Sequence, residues 1–255
     1  MLRILIKKIN LLCCGDDVYF IRSGLKGEIG EWPYVDCELP KPNYFQSVTE
    51  RFINYLVASA SDNIIPTMYD YAIPWKQSIF KHKVRDTIPL ACNKTPSIII
   101  NEDRKLTIMH GINREGFKGT KKIMEALERI KKEFGSEVNV LYPEKLPLND
   151  YLKLMADVDI AIDQCKGNSY GMNAIFSMFS GHIVLAPAND KFIKDMKLEF
   201  CPVVSIGNDS NDIYLKLKCL ILNKKNIYDM KVRTQEYAVD LHSSINVARR
   251  MKLFI

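Results

Sequence analysis

A basic loop at positions 110–120 joins an apolar run to a long helical pattern. It carries Arg114 and Lys118, and the helix that follows begins with unpaired N–H groups. The planar fork of Arg114 fits two phosphate oxygens, whereas Lys118 supplies a mobile point charge. Gly119 lets a phosphate approach the backbone, and Thr120 is placed to cap the helix. The loop predicts a polyanion site, with solvated loop charges as the alternative.

A second loop, at residues 163–171, leads directly into an apolar helical stretch that ends before Gly181. Its glycines permit tight turns, and the helix start again offers free N–H donors to an anion. Ligands of parallel sheets lie beyond the carboxyl ends of the strands, where both loops fall. We therefore expect two positive helix ends to face one crevice.

Other polar residues have competing interpretations. His110 and Asn113 are candidates for lining the crevice, although a strand-end histidine serves structure equally well. We assign His182 and His242 to structure. We expect Asp159 or Asp163 to bond loop backbone, and residues 163–164 to serve loop architecture.

Several sequence motifs are missing. The chain has neither the G-x-x-x-x-G-K-[ST] phosphate loop nor a G-x-G-x-x-G fingerprint after a strand. It also lacks H-E-x-x-H and G-x-S-x-G. These absences disfavour phosphate-loop, classical dinucleotide, metalloprotease and α/β-hydrolase chemistry.

Strands and helices alternate from residue 106 onward. Short β-type runs alternate with helical spacing, which predicts a Rossmann-like, doubly wound parallel sheet. The predicted strands are 106–110, 138–142, 158–162, 182–186 and 203–206, and the predicted helices are 120–134, 151–155, 172–179 and a final one after His242.

The first 95 residues are less regular, with a helix near 46–58, a strand near 63–66 and a strand-and-loop remnant at 19–24. Turn-forming residues 93–96 mark a boundary. We predict a shortened, α/β N-terminal domain at residues 1–95 and a larger domain at 96–255.

Composition limits the function classes. Of 255 residues, 47% are hydrophobic and 26% charged, which is typical of a globular protein. A net charge of +6 favours anionic partners but falls short of a nucleic-acid binder. Seven scattered cysteines without a C-x-x-C pair indicate neither a disulfide framework nor a zinc site, and favour a reducing cytosol. We interpret residues 1–14 as a short strand or membrane-surface segment.

Three ordered motifs resemble the C-terminal domain of GT-B glycosyltransferases that build bacterial capsular and O-antigen polysaccharides. They are His110-x-x-Asn-Arg-x-x-x-Lys-Gly-Thr, Ala156-Asp-x-Asp-Ile-Ala-Ile-Asp-Gln, and Tyr170-Gly-x-Asn-Ala-x-x-x-Met with Gly181. The resemblance covers about residues 104–254, and residues 51–89 resemble the end of the preceding domain.

The resemblance implies a nucleotide-diphosphate sugar between two Rossmann-like domains, with its diphosphate held by Arg114 and Lys118. It further implies retaining, metal-independent transfer with no cofactor besides this substrate. Residues implied to flank the base are Tyr142, Glu144 and Lys145. Residues implied to lie along the sugar and phosphates are Asn168, Ser169, Tyr170, Gly171 and Met172.

The chain departs from this family in two ways. The family commonly has two glutamates eight positions apart, where this chain has Asn168 and Phe176. Phe176 cannot accept hydrogen bonds from ribose hydroxyls. The N-terminal part is also shorter than an acceptor domain, and no acceptor-side catalytic residue is assigned.

We expect a glycosyltransferase that uses a nucleotide sugar and a glycan or lipid-linked acceptor. We expect it in the cytoplasm, in peripheral contact with the inner face of a membrane, and we leave its oligomeric state open. The alternative is a catalytically impaired relative that binds a sugar nucleotide, or a subunit that needs a partner chain.

Overall fold

Two parallel sheets of unequal size organise the computed structural model, which describes residues 8–98, 104–144 and 146–254. In the N-terminal unit, β1 (Asn10–Cys13) pairs with β2 (Asn63–Pro66). The C-terminal unit has a five-stranded sheet in the order β4-β3-β5-β6-β7. Its strands are β3 (Leu106–His110), β4 (Val138–Leu141), β5 (Ile160–Ile162), β6 (Ile183–Ala186) and β7 (Val204–Ser205).

Helices cover both faces of the larger sheet. One face packs on α5 (Thr120–Phe134) and α9 (Ser210–Leu222), and the other packs on α7 (Met172–Phe179) and α10 (Ile227–His242). Successive strand residues point to opposite faces, so Ile108 joins the first core and Met109 a cluster on the other side. The predicted doubly wound parallel sheet is confirmed.

The remaining helices are shorter or peripheral. They are α4 (Glu115–Lys118), α6 (Leu148–Met155), α8 (Asp190–Asp195) and α11 (Ser244–Met251) in the C-terminal unit, and α1 (Val18–Leu25), α2 (Val48–Ala60) and α3 (Tyr69–Lys76) in the N-terminal unit. Within the part of the chain that the structure describes, no helix has the length and apolarity needed to cross a membrane.

The strand order places a topological switch point between β3 and β5. The chain runs outward from β3 to β4 on one side, then returns to β5 and continues to β6 and β7 on the other. At such a point the loops leaving the two central strands separate to opposite faces of the sheet and leave a crevice. The loops that follow His110 and Ile162 therefore border that crevice.

A long connection between α1 and α2, which we name the strap (residues 27–45), links the two units. The backbone N–H of Gly167 donates to the carbonyl of Glu31 at 2.8 Å, and Asn168 Nδ2 donates to the carbonyl of Gly30 at 2.6 Å. The Tyr34 ring also packs edge-on against Phe117. The strap thus holds the N-terminal unit against the loops of the larger sheet.

The expected strands and helices are largely present, with one wrong assignment. Residues 19–24 form part of helix α1 rather than a strand and loop, because Asp17 caps the helix by accepting from the N–H of Phe20 at 2.8 Å. The expected helix near 46–58 and strand near 63–66 correspond to α2 and β2. The division at residues 95 and 96 stays a prediction.

Candidate functional site

The segments that follow four strands, two in each sheet, line one cavity, which we name the main cavity. Its volume is about 290 Å³. The chain leaving β1 contributes Cys14, and the chain leaving β2 contributes Asp70. The loop after β3 contributes Arg114 and Lys118, and the loop after β5 contributes a run of residues beginning at Asp163. The two basic residues expected to share a site therefore line the same space.

Arg114 is held at the cavity by aromatic and acidic partners from the N-terminal unit. Its Nη2 donates to the hydroxyl of Tyr34 at 2.6 Å and lies 3.8 Å from a carboxylate oxygen of Asp16. The guanidinium stacks 3.8 Å from the ring centre of Phe117, which fixes its plane. The side chain is 49% exposed, and these contacts hold it in place although it faces solvent.

Lys118 lies deeper, in a buried ion pair. Its side chain is only 7% exposed, and its Nζ lies 3.2 Å from Asp163 Oδ1 and 3.3 Å from the carbonyl oxygen of Gly111. Asp163 also accepts a hydrogen bond from Asn173 at 3.2 Å. The ammonium is thus fixed between the loops that leave β3 and β5, at the switch point.

The start of α7 completes the cationic side of the main cavity. Gly171 is the N-cap residue, and no side chain caps this helix. Gly171, Met172 and Asn173 all line the cavity. Uncapped N–H groups and the positive end of the helix dipole favour an anion here.

A second space of about 290 Å³, the side cavity, adjoins the first. The two share Asn113, Lys118 and Asn173 in their walls. The side cavity is otherwise bounded by the loop after β4, through Pro143, and by Tyr151 on α6. Tyr151 donates to Asn173 Oδ1 at 2.8 Å, and burial raises the pKa of Tyr151 to about 12, which keeps the hydroxyl protonated.

Solved structures with this architecture are glycosyltransferases of the GT-B class. A crystal structure of a TarM variant from S. aureus with UDP, fondaparinux and α-GlcNAc-glycerol has a TM-score of 0.62 and 14% identity, over 84% of this chain and 48% of that chain. The HepE structure from Anabaena with UDP and glucose has a TM-score of 0.59 and 13% identity, over 85% and 69%. Sucrose-phosphate synthase from Thermosynechococcus elongatus has a TM-score of 0.58 and 12% identity, over 95% and 72%. The chain has the GT-B fold.

The present chain spans about half the length of the TarM structure. No protein-family model matches it. No curated protein matches it either. The likeness is therefore one of fold.

Two loop residues expected at the GT-B crevice lie elsewhere. Gly119 has a φ of +73° and packs under Cys165, and neither Gly119 nor Thr120 lines the two cavities. Thr120 is the first residue of α5 and does not cap it; its buried hydroxyl donates to His110 Nε2 at 3.0 Å. The start of α5 is covered because the loop after β5 closes over it through Cys165. The expectation that this helix end faces the crevice is wrong.

His110 has the structural role. The ring is fully buried, and its Nδ1 donates to the carbonyl of Ile162 at 2.9 Å, which joins β3 to β5. Burial lowers the pKa of His110 to about 4, so the imidazole is neutral near pH 7. His242 and His182 are likewise buried and bonded to backbone carbonyls, as expected.

The residues expected along the sugar and phosphates separate into two groups. Ser169, Gly171 and Met172 line the main cavity, whereas Asn168 is fully buried behind it. Tyr170 points into the core beneath α7, where its hydroxyl bonds to His242 and Tyr237.

Of the residues expected to flank a base, Tyr142 and Glu144 lie near the side cavity but do not line it. Tyr142 donates to Glu128 at 3.1 Å, on the face of the sheet that packs on α5. Glu144 pairs through its backbone with Ile112. Lys145 lies outside the described residues. Pro143 occupies the wall instead.

Sequence reasoning missed the N-terminal wall of the site. Phe20, Met68, Asp70 and Tyr71 line the main cavity opposite the basic loop. Asp70 follows β2 by a few residues, so the carboxyl-end rule used for the larger sheet would have selected it.

Proposed function

We propose that this chain binds a nucleoside-diphosphate sugar and transfers the sugar to a hydroxyl of a glycan or lipid-linked acceptor. The supporting observation is the convergence of Arg114, Lys118 and the uncapped start of α7 on one cavity at a switch point. The side cavity accommodates the nucleoside, and the main cavity accommodates the sugar and the approaching acceptor.

Charge at the departing diphosphate is the central chemical problem of the reaction. As the bond from the anomeric carbon to phosphate breaks, negative charge grows on the diphosphate and the sugar becomes oxocarbenium-like. Fixed positive groups stabilise that charge without reorganising. Arg114 and Lys118 take this role, so we propose transfer without a metal or a further cofactor. We propose retention at the anomeric carbon on the resemblance to the GT-B family alone.

A nucleoside diphosphate is expected to raise the melting temperature of the protein, and Arg114→Ala to remove most of that rise. Loss of a charge-assisted hydrogen bond corresponds to an affinity loss of roughly 10- to 100-fold. Arg114→Lys is expected to fall between the two, since it keeps the charge but not the planar fork. Thermal shift and titration calorimetry with UDP, GDP and ADP measure these effects.

The matched control is Arg51→Ala, which removes an exposed arginine from α2, whose residues line neither cavity. It should leave the nucleotide shift unchanged. No shift with any of the three diphosphates, or an equal shift in wild type and Arg114→Ala, contradicts the proposed donor site.

Binding without transfer is the second candidate function. Phe176 lies on α7 and lines neither cavity. Its side chain also has no carboxylate that could bind a ribose. Release of nucleoside diphosphate from a sugar nucleotide, followed by chromatography, separates the two candidates. Slow hydrolysis supports the transferase, and tight binding with no release or transfer supports the binding protein.

A further inference from the structure

A chain of hydrogen bonds connects the N-terminal unit to the guanidinium of Arg114. Its Nη2 donates to the hydroxyl of Tyr34 at 2.6 Å, and that hydroxyl donates in turn to Oδ2 of Asp16 at 2.6 Å. Tyr34 is 5% exposed, and the side chain of Asp16 is 9% exposed. Asp16 follows β1 and Tyr34 belongs to the strap, so both groups come from outside the larger sheet that carries Arg114.

The carboxylate of Asp16 determines which way the Tyr34 hydroxyl points. An ionised carboxylate only accepts hydrogen bonds, so the hydroxyl hydrogen of Tyr34 is directed at Asp16 and its lone pairs at Arg114. Burial and the bond to Asp16 raise the pKa of Tyr34, so the hydroxyl stays protonated and keeps this direction. Tyr34 therefore presents a fixed acceptor to the guanidinium.

The contact with Tyr34 uses only one corner of the guanidinium. Phe117 fixes the plane of the group, whose carbon lies 3.8 Å from the ring centre. Among the residues that the structure describes, none accepts a hydrogen bond from Nε or Nη1 of Arg114. A long side chain that is held before the ligand arrives loses less rotamer freedom on binding, which improves affinity. One corner of Arg114 is thus held while two N–H positions stay open to phosphate oxygens.

The strap is fixed to the larger unit by contacts that do not involve Arg114. Besides the bonds to the loop after β5, the Nζ of Lys166 lies 3.6 Å from a carboxylate oxygen of Asp36. Cys37 packs so closely on α4 that a Cβ added to Gly116 would lie 2.5 Å from the Cβ of Cys37. These contacts place the tyrosine hydroxyl without help from the guanidinium, as a positioning role requires.

We propose that Tyr34 positions Arg114 for the donor diphosphate, with Asp16 orienting the tyrosine hydroxyl. This inference rests on the proposed function, because it concerns the diphosphate that Arg114 binds. Tyr34 lines neither cavity, so it acts on the ligand only through Arg114. The diphosphate site of the larger unit is therefore completed by the strap.

The test is a double-mutant cycle on Tyr34 and Arg114, measured as the dissociation constants of UDP, GDP and ADP by titration calorimetry. Tyr34→Phe keeps the aromatic ring and removes the hydroxyl. It should weaken the diphosphate that binds best about three- to tenfold, which is less than the loss from Arg114→Ala, because the charge remains. In the Arg114→Ala background, Tyr34→Phe should change the affinity less than about twofold, because the positioned group is gone.

Tyr44→Phe is the matched control. The hydroxyl of Tyr44 donates to the same oxygen of Asp16 at 3.2 Å, but it makes no hydrogen bond to Arg114, and Tyr44 lines neither cavity. Its removal should leave the diphosphate affinity unchanged. A loss as large as that of Tyr34→Phe would assign the effect to Asp16 rather than to the contact with Arg114, and would overturn the proposal.

Nitrogen-15 relaxation of the Arg114 Nε–H group tests the proposal without requiring Tyr34→Phe to fold. The signal is assigned by its loss in Arg114→Lys. In the ligand-free wild type it should show the restricted motion of the backbone, and in Tyr34→Phe it should show the fast motion of an exposed arginine. A mobile Arg114 side chain in the wild type overturns the proposal whatever the variants show.

The outcomes separate this proposal from the proposed function. If the wild type binds a diphosphate and Tyr34→Phe binds it equally or more tightly, the positioning role is overturned and the donor site stands. An equal loss from Tyr34→Phe with and without Arg114 also overturns the positioning role, since Tyr34 then acts on the fold in general. A protein that binds no diphosphate overturns the proposed function, and the positioning role with it.

Discussion

The ammonium of Lys118 and the carboxylate of Asp163 lie 3.2 Å apart and almost out of solvent. Such a pair gains little stability over an apolar pair, because both charges lose their hydration. Its use at the crevice is positional, since Lys118 is held where the loops from β3 and β5 meet.

Removing one partner of that pair is expected to be costly. Lys118→Met leaves Asp163 buried without its counter-charge and should lower the free energy of unfolding by about 3–5 kcal/mol. Adding Asp163→Asn should restore most of the loss. Urea unfolding of the single and double variants measures both effects.

A half-exposed lysine on α5, Lys122, provides the comparison. Lys122 forms an ion pair with Glu125, and both side chains are about 40% exposed. Lys122→Met should change the free energy of unfolding by less than about 1 kcal/mol. If Lys118→Met unfolds at the same urea concentration as Lys122→Met, the pair has no special role.

At the scale of elements, hydrophobic periodicity predicted the helices and strands whose residues contact neighbours close in sequence. Helix α5 has the predicted bounds, because Ile123, Leu127 and Ile130 recur at helical spacing and face one core. The strap was not predicted. Its shape depends on partners such as Arg114, which lies 80 residues beyond Tyr34.

The junction between α4 and α5 depends on one glycine. Gly119 has a φ of +73°, and a Cβ there would overlap the sulfur of Cys165. Gly119→Ala should lower the free energy of unfolding by about 2–4 kcal/mol, from backbone strain and overpacking together. Chemical denaturation measures the change.

Gly27 separates those two contributions. It has the same φ of +73°, but nothing lies within 4 Å of an added Cβ. Gly27→Ala should therefore show only the backbone cost, about 1 kcal/mol. Equal losses at the two glycines would mean that the packing against Cys165 is readily relieved.

At the scale of the whole molecule, sequence reasoning found one side of the site. Arg114, Lys118 and the start of α7 were predicted from loops that follow strands of a recognisable sheet. Asp70 was not, because the carboxyl-end rule was applied only to the larger sheet, and its contact with Asn168 joins residues 98 apart in the two units. Contacts between units of low regularity leave no periodic signal in the sequence.

Three buried histidines make the stability of the molecule depend on pH. Burial lowers the pKa of His110 and His242 to about 4 and that of His182 to about 3. As the pH falls, these histidines become protonated near pH 6.5 in the unfolded chain and only at lower pH in the folded protein. The stabilisation is therefore complete above pH 6.5 and is lost as the pH falls toward 4.

Each histidine should account for about 2 kcal/mol of the loss in unfolding free energy between pH 7 and pH 5. Urea denaturation at several pH values measures the slope. His110→Gln should reduce the loss of unfolding free energy between pH 7 and pH 5 by about 2 kcal/mol, whatever its effect on stability at pH 7. If the unfolding free energy of His110→Gln falls with pH as steeply as that of the wild type, His110 does not have a lowered pKa in the folded protein.

The main cavity takes its walls from both units, and the strap closes one side of it. A molecule that fills the space touches both halves at once, so its affinity depends on how often they are docked. Ligand binding and the contact between the two units are then coupled equilibria, so a bound ligand stabilises that contact. Protease resistance at the strap should consequently follow ligand saturation.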